Sequence, residues 1–211
     1  MSSIDDIKQN LISGNIDGTN DAIQKALDSG LEALDILQEA LMPAMQKVGK
    51  LFEEGEYFLP EMMMSAESMK TGVKSLEPYL TKTDIKSNGK VIIATVQGDV
   101  HDIGKNLVAL MIGTAGFELQ DMGVDVATEK IVEAVKTSSP DVLALSALLT
   151  STMLEIPIII ESLKTAGLRD KVKILIGGAP VSEAFKEKTG ADGYAPDAMS
   201  AADAVRSLIE A

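Results

Sequence analysis

The chain has 211 residues, enough for one or two domains. It carries a formal charge of −13, with 45% hydrophobic, 24% charged and 3% aromatic residues and no cysteine. This balance supports a buried core and excludes a disordered chain, disulfides, zinc fingers, protein-ligated iron–sulfur clusters and a basic, ring-bearing nucleic-acid surface.

The N-terminal MSSIDDIKQN is acidic and polar, unlike a secretory signal. Residues 1–82 then repeat a helical pattern. Leu11, Ile16, Ala22, Ile23 and Leu27 fall on one apolar face, and Gly30 is a natural stop. Leu34, Leu37, Leu41, Met45, Val48 and Leu51 continue the rhythm, with Pro43 forcing a kink or a new start. A last helix runs from Leu59 to Leu80, with Pro60 in its first turn. Four helices predict a small bundle. The polar stretch Thr81–Lys90 ends in Asn88-Gly89 and reads as a linker, placed at 83–89.

From residue 90 to 211 the pattern changes to short β-rich runs alternating with helices. The runs are Val91–Val96, Phe117–Met122, Val142–Ser146, Val172–Ile176 and Gly193–Ala195, with helices near 105–114, 127–137, 153–166, 181–188 and 198–210. The most apolar run, Val142–Ile160, is broken by Ser146, Thr150, Ser151, Thr152, Glu155 and Pro157, so it reads as strand, turn and helix without a membrane span. The prediction is an α/β domain with a flavodoxin-like (Rossmann-like) five-stranded parallel sheet of order 2-1-3-4-5. A soluble, cytoplasmic protein is expected.

In such a sheet ligands bind at the carboxyl ends of the strands. The first βα loop, Gln97-Gly98-Asp99-Val100-His101-Asp102-Ile103-Gly104-Lys105-Asn106, places the only histidine there. One reading is a polar loop with a solvated or helix-capping His. The other is a tautomer fixed by Asp99 at Nδ1, leaving Nε2 as ligand or base. One His without Cys cannot fill a zinc tetrahedron, so a metal on His101 would arrive inside a cofactor with its own equatorial ligands. A catalytic triad lacks its nucleophile elbow. Hydroxyls at Ser146, Thr150, Ser151 and Thr152 either cap the next helix or meet a ligand. Gly177-Gly178-Ala179-Pro180 is either a plain turn or a close approach to a ligand. Neither loop matches a dinucleotide or Walker motif.

Taken together, Asp99-x-His101-x-x-Gly104, Ser146-x-Leu148 and Gly177-Gly178, after the first, third and fourth predicted strands, resemble the fingerprint of cobalamin-binding domains. Upstream, the segment Val48–Glu61 (VGKLFEEGEYFLPE) is similar to the helical cap of cobalamin-dependent methionine synthase and its relatives. The resemblance covers residues 3–210, and a two-domain chain of this size resembles corrinoid proteins of methylamine, methanol or methoxy-aromatic methyltransferase systems.

The resemblance implies cobalamin or a related corrinoid, with a methylcobalamin form, held between a helical cap and the sheet edge. His101 would be the lower axial cobalt ligand and Asp99 its carboxylate partner. Cofactor contacts would come from Gly98, Asp99, Val100, His101, Asp102, Ile103, Gly104, Lys105 and Asn106. Within that set, Gly104 would allow close approach of the nucleotide tail, and Lys105 and Asn106 would meet its propionamide or phosphate groups. Ser146, Leu148, Thr150, Gly177, Gly178 and Ala179 would line the tail's slot or its surroundings. Ser146 would extend the hydrogen-bond chain behind Asp99 or touch the tail, and Thr150 would sit near the buried base. Phe58 and Met62, four apart, would shield the upper face as a joint apolar surface. The alternative for Met62, Met63, Met64 and Met69 is bundle core. The acidic run Glu53-Glu54-Gly55-Glu56 is a solvated face or a docking surface.

The function implied is methyl carriage on cobalt from a substrate-specific methyltransferase to an acceptor methyltransferase serving a thiol or a tetrahydrofolate/pterin. A reductive activation protein would be a further partner, and the chain would be a carrier component and not a complete enzyme. The rivals are a cobalamin-sensing regulatory module and the small cobalamin-binding subunit of a mutase. Access to a capped cobalt requires the cap to move; the polar linker Thr81–Lys90 is the expected hinge, and Asn88-Gly89 within it tolerates the backbone change.

Overall fold

The computed structural model describes residues 3–80 and 87–211. The chain divides into two compact units, one helical and one α/β, the second beginning at Ser87. The greater part of the predicted linker lies outside the described residues.

The helical unit starts with α1 (Ser3–Ile12) and α2 (Ile16–Asp28). They are separate helices, because the Asn15 side chain caps α2 by accepting the Gly18 N–H at 3.0 Å. The buried face of α2 is Thr19, Ala22, Ile23 and Ala26, an i, i+3, i+4, i+7 stripe. Ala26, not Leu27, completes it. The carbonyl of Ile12, at the end of α1, accepts from Tyr57 Oη at 2.9 Å and Ser65 Oγ at 3.1 Å, which satisfies one of the helix's orphan acceptors.

Next come α3 (Ala33–Asp35), a π-helical turn (Ile36–Leu41) and α4 (Met42–Glu53), which run on as one rod over 33–53. The kink expected at Pro43 is a register change: the Met42 N–H reaches back to the Leu37 carbonyl just before the proline that lacks a donor. The rod buries Ile36, Leu37, Ala40, Leu41, Ala44, Met45 and Val48. The last helix, α5 (Leu59–Leu76), closes with a 3₁₀ turn at Glu77–Tyr79.

The α/β unit alternates strand and helix throughout. Its elements are β1 (Lys90–Thr95), α6 (Ile103–Thr114), β2 (Glu118–Asp121), α7 (Thr128–Ser138) and β3 (Val142–Ser146). Then follow α8 (Glu155–Thr165), β4 (Lys173–Gly177), α9 (Glu183–Thr189), β5 (Gly193–Ala195) and α10 (Ala198–Glu210). All pairings are parallel, and the order is β2-β1-β3-β4-β5. Central strands covered on both faces read as unbroken apolar runs, as VIIA in β1 and VLAL in β3 do.

The two faces are filled differently. Ile92, Ala94, Leu143, Leu145, Ile174 and Ile176 join Ile131 and Val135 of α7 and Ile156, Ile159, Ile160 and Leu163 of α8 in one continuous core. On the opposite face, Ile93, Ala144 and Leu175 look across a cavity of about 540 Å³ toward Leu107 and Val108 of α6 and Ala201 of α10. Gly89, expected to be part of a hinge, is instead built into the sheet margin. Its carbonyl accepts the Glu118 N–H at 2.9 Å, and a Cβ there would come within 2.6 Å of Ile209 Cδ1. Among the described residues no helix is long and apolar enough to cross a membrane.

Candidate functional site

The cavity opens where the strands end. β1 delivers the loop 97–102, β3 the segment after Ser146, β4 the Gly177-Gly178-Ala179 turn, and β5 the Pro196-Asp197 cap of α10.

At the centre is Asp99, whose side chain has no solvent exposure. Its Oδ1 accepts His101 Nδ1 at 2.7 Å and the His101 backbone N–H at 3.1 Å. Its Oδ2 accepts the Leu148 N–H at 2.7 Å and Thr152 Oγ1 at 2.6 Å. Burial works to raise the Asp99 pKa, but the bonds from Thr152, Leu148 and His101 outweigh it and hold the carboxyl well below the usual range. An ionised Asp99 accepts only, so the proton between it and the ring sits on Nδ1. The ring's Nε2, on a side chain 47% exposed, has no hydrogen-bond partner among the described residues and is a free lone pair. The Thr95 hydroxyl donates to the His101 carbonyl at 3.1 Å and fixes the loop from below.

The cavity itself is mainly apolar. Val100, Ile103 and Leu148 line it and are all exposed, and Ile103 is 84% accessible. Large apolar side chains around one polar nitrogen suit a broad ligand with an apolar body. Gly178 has φ of +119°, and a Cβ there would lie 1.9 Å from the Ala147 carbonyl oxygen, so only glycine fits this turn. Gly104 has open space on its Cβ side. Among the described residues no group of three His, Asp or Glu side chains converges on a metal position. The donor set therefore fits a metal that brings its other ligands and takes one imidazole.

Several expected residues stand elsewhere. Val100, His101, Asp102, Ile103, Gly104, Lys105, Ser146, Leu148, Gly177, Gly178 and Ala179 line the cavity; Gly98, Asp99, Asn106 and Thr150 do not, Asp99 lying behind His101. Thr150 is exposed, and the hydroxyl on Asp99 belongs to Thr152, because the 3₁₀ turn at Thr152–Leu154 turns that side chain inward. Ser146 takes the cavity-lining position, and no bond joins it to Asp99. The Lys105 side chain is 2% exposed and its ammonium is paired with Asp121 and with Asn106 Oδ1. Phe58 is 68% exposed while Met62 is fully buried, so the two do not form one exposed apolar surface; Phe58 precedes α5, and its carbonyl accepts the Met62 N–H. Sequence reasoning missed Thr152, the Leu148 amide, and the β5–α10 wall of Ala195, Pro196, Asp197, Ala198 and Ala201. The only signal for that wall was its place after a strand.

Residues 89–203 match the B12 binding domain family, and residues 3–77 match a second B12 binding domain family. A corrinoid protein of Desulfitobacterium hafniense is 40% identical over 212 residues, covering 99% of this chain and 98% of its own. A trimethylamine corrinoid protein of Methanosarcina acetivorans is 42% identical over 192 residues, covering 90% and 88%. Among solved structures, the methanol:cobalamin methyltransferase complex of Methanosarcina barkeri contains a similar chain. It gives a TM-score of 0.92 at 32% identity and covers 99% of this chain and 80% of that one.

Proposed function

The chain belongs to the B12-binding corrinoid proteins, and from that premise we propose that it carries a methyl group between a substrate-specific methyltransferase and a second methyltransferase serving a thiol or pterin acceptor. A bound corrinoid supplies the cobalt centre on which a methyl group is taken up and released. The protein supplies orientation, exclusion of water and one nitrogen ligand.

The observation that carries this reading is the Asp99–His101 pair at the mouth of the apolar cavity, with Nε2 left free. His101 would hold the corrinoid's metal through Nε2. Asp99 holds the Nδ1 proton in a charge-assisted bond, which fixes the tautomer and the orientation of the ring. Leu148 and Thr152 hold Asp99 in turn, so the ligand is oriented through three linked hydrogen-bonded groups. Ser146, Gly177, Gly178 and Ala179 would line the slot for the cofactor's tail, and Val100, Ile103 and Leu148 would meet its apolar body. The solved methanol:cobalamin methyltransferase complex supports a partner methyltransferase for this chain as well. The acceptor enzyme and a reductive activation protein follow from the same chemistry, since a carrier must be unloaded and its metal kept reduced.

The test is electron paramagnetic resonance of the cobalt(II) form after reconstitution with cobalamin. Growth on ¹⁵N-histidine labels one imidazole, because the chain has one His. The nitrogen splitting is expected to change multiplicity with the label; an unchanged splitting rules out His101 as the ligand.

A further inference from the structure

We propose that Asp125 is a positioning residue for the His101 imidazole, acting through the Gly98–Asp99 backbone. The inference rests on the reading of His101 given above. After β2 the chain keeps running beside β1: the Thr95 N–H donates to the Gly123 carbonyl at 3.0 Å, the Val126 N–H to the Thr95 carbonyl at 3.1 Å, and Val96 bridges Val126. Asp125 is the tip of this strap. Its Oδ1 accepts the Gly98 N–H at 2.7 Å, and its own N–H donates to the Asp99 carbonyl at 2.8 Å. One residue thus grips two consecutive residues of the histidine loop at two points. Gly98 is itself left-handed, with φ of +79°, at the third position of the Val96–Asp99 turn that the Asp99 N–H closes on the Val96 carbonyl at 3.2 Å; Asp125 adds two bonds to that turn from outside the loop.

Asp125 pays for the grip. Its φ is +51°, a left-handed conformation that non-glycine residues adopt at a cost and that Asp and Asn tolerate best. Such outliers persist where surrounding contacts over-determine them, and here the two contacts hold Gly98 and Asp99. Asp99 then passes the constraint on, because its Oδ1 binds the His101 ring and backbone together. A shift of Asp99 rotates or releases the ring. No route from Asp125 to the cavity is needed, since it does not line it.

The test compares Asp125→Gly, which keeps the left-handed backbone and removes the acceptor, with Asp125→Asn, which keeps both. In the full-length, cofactor-free protein the single histidine gives unambiguous imidazole ¹⁵N resonances. At pH 8 the ratio of Nδ1–H to Nε2–H tautomer is expected to fall about tenfold in Asp125→Gly, as for loss of an orienting hydrogen bond. It is expected to stay at the wild-type value in Asp125→Asn. In the cobalamin-loaded protein, the cobalt(II) signal with nitrogen splitting should shrink in Asp125→Gly and persist in Asp125→Asn. A wild-type ratio in Asp125→Gly overturns the proposal, whatever its denaturation midpoint. So does Asp125→Asn behaving like Asp125→Gly, or Asp125→Gly failing to fold, because charge or fold would then be the residue's role. Absence of nitrogen splitting in the wild type would instead overturn the assignment of His101 as ligand and leave the tautomer comparison to judge Asp125.

Discussion

Replacing Thr152 with Val keeps the shape of the side chain and removes only its hydroxyl. In the native protein that hydroxyl donates to Asp99 Oδ2 at 2.6 Å and accepts the Leu149 N–H at 3.2 Å, and both side chains are buried. A buried hydrogen bond to a charged acceptor is worth about 1.5–3 kcal/mol, while the longer amide contact adds a fraction of that. The expected loss is therefore about 2 kcal/mol, a urea midpoint lower by about 1 M for a slope of about 2 kcal/mol/M. Circular dichroism at pH 7 measures it. The decisive comparison repeats the substitution in an Asp99→Asn background, where the acceptor is neutral and the cost should drop below about 1 kcal/mol. Equal costs in the two backgrounds would refute the view that Thr152 acts by stabilising an ionised Asp99.

The Asp99 carboxyl is held below its unfolded value near 3.9, so its contribution is complete above that pH and is lost as pH falls through the lower folded value. The stability gap between wild type and Asp99→Asn should accordingly be flat from pH 8 to about 5 and narrow below about 4, measured by urea denaturation across that range. Ala201 is buried and lines the cavity. Ala201→Leu should hold or raise the midpoint of the cofactor-free protein while weakening cobalamin uptake at least about tenfold in an absorbance titration, opposite signs that a simple packing defect would not give. The Lys105–Asp121 pair should show an asymmetry in thermal denaturation. Asp121→Ala strands a buried ammonium and should cost about 2–4 kcal/mol, whereas Lys105→Met should cost less.

The five βα units were legible because each announces itself as an apolar run followed by a helical period; their order β2-β1-β3-β4-β5 follows the common doubly wound arrangement and is not written in any one segment. Asp99 and His101 were legible because two residues of separation keep them together in any loop. What escaped was whatever long-range folding decides. Thr152 lies 53 residues from Asp99, and choosing it over Thr150 needs the phase of a 3₁₀ turn that a run of hydroxyls does not encode. Lys105 was expected to meet the ligand from its place at the start of a helix; its partner Asp121 stands at the end of a different strand, which that place does not reveal. Phe58 and Met62 have helical spacing, but spacing says nothing of which side of the helix start a residue falls on.

The alternation of a β-strand sends neighbouring residues to opposite faces, and here it divides the α/β unit between two timetables. One face is completed at synthesis by the unit's own side chains. The other, where Ile93, Ala144 and Leu175 face Leu107, Val108 and Ala201 across the cavity, would be completed by a bound ligand. For such a protein the cofactor is late-delivered core, and durability becomes a matter of supply: free ligand at a hundred times its dissociation constant adds about 2.7 kcal/mol. A cell short of the ligand would clear the unfilled chains first, since these open most often to proteases.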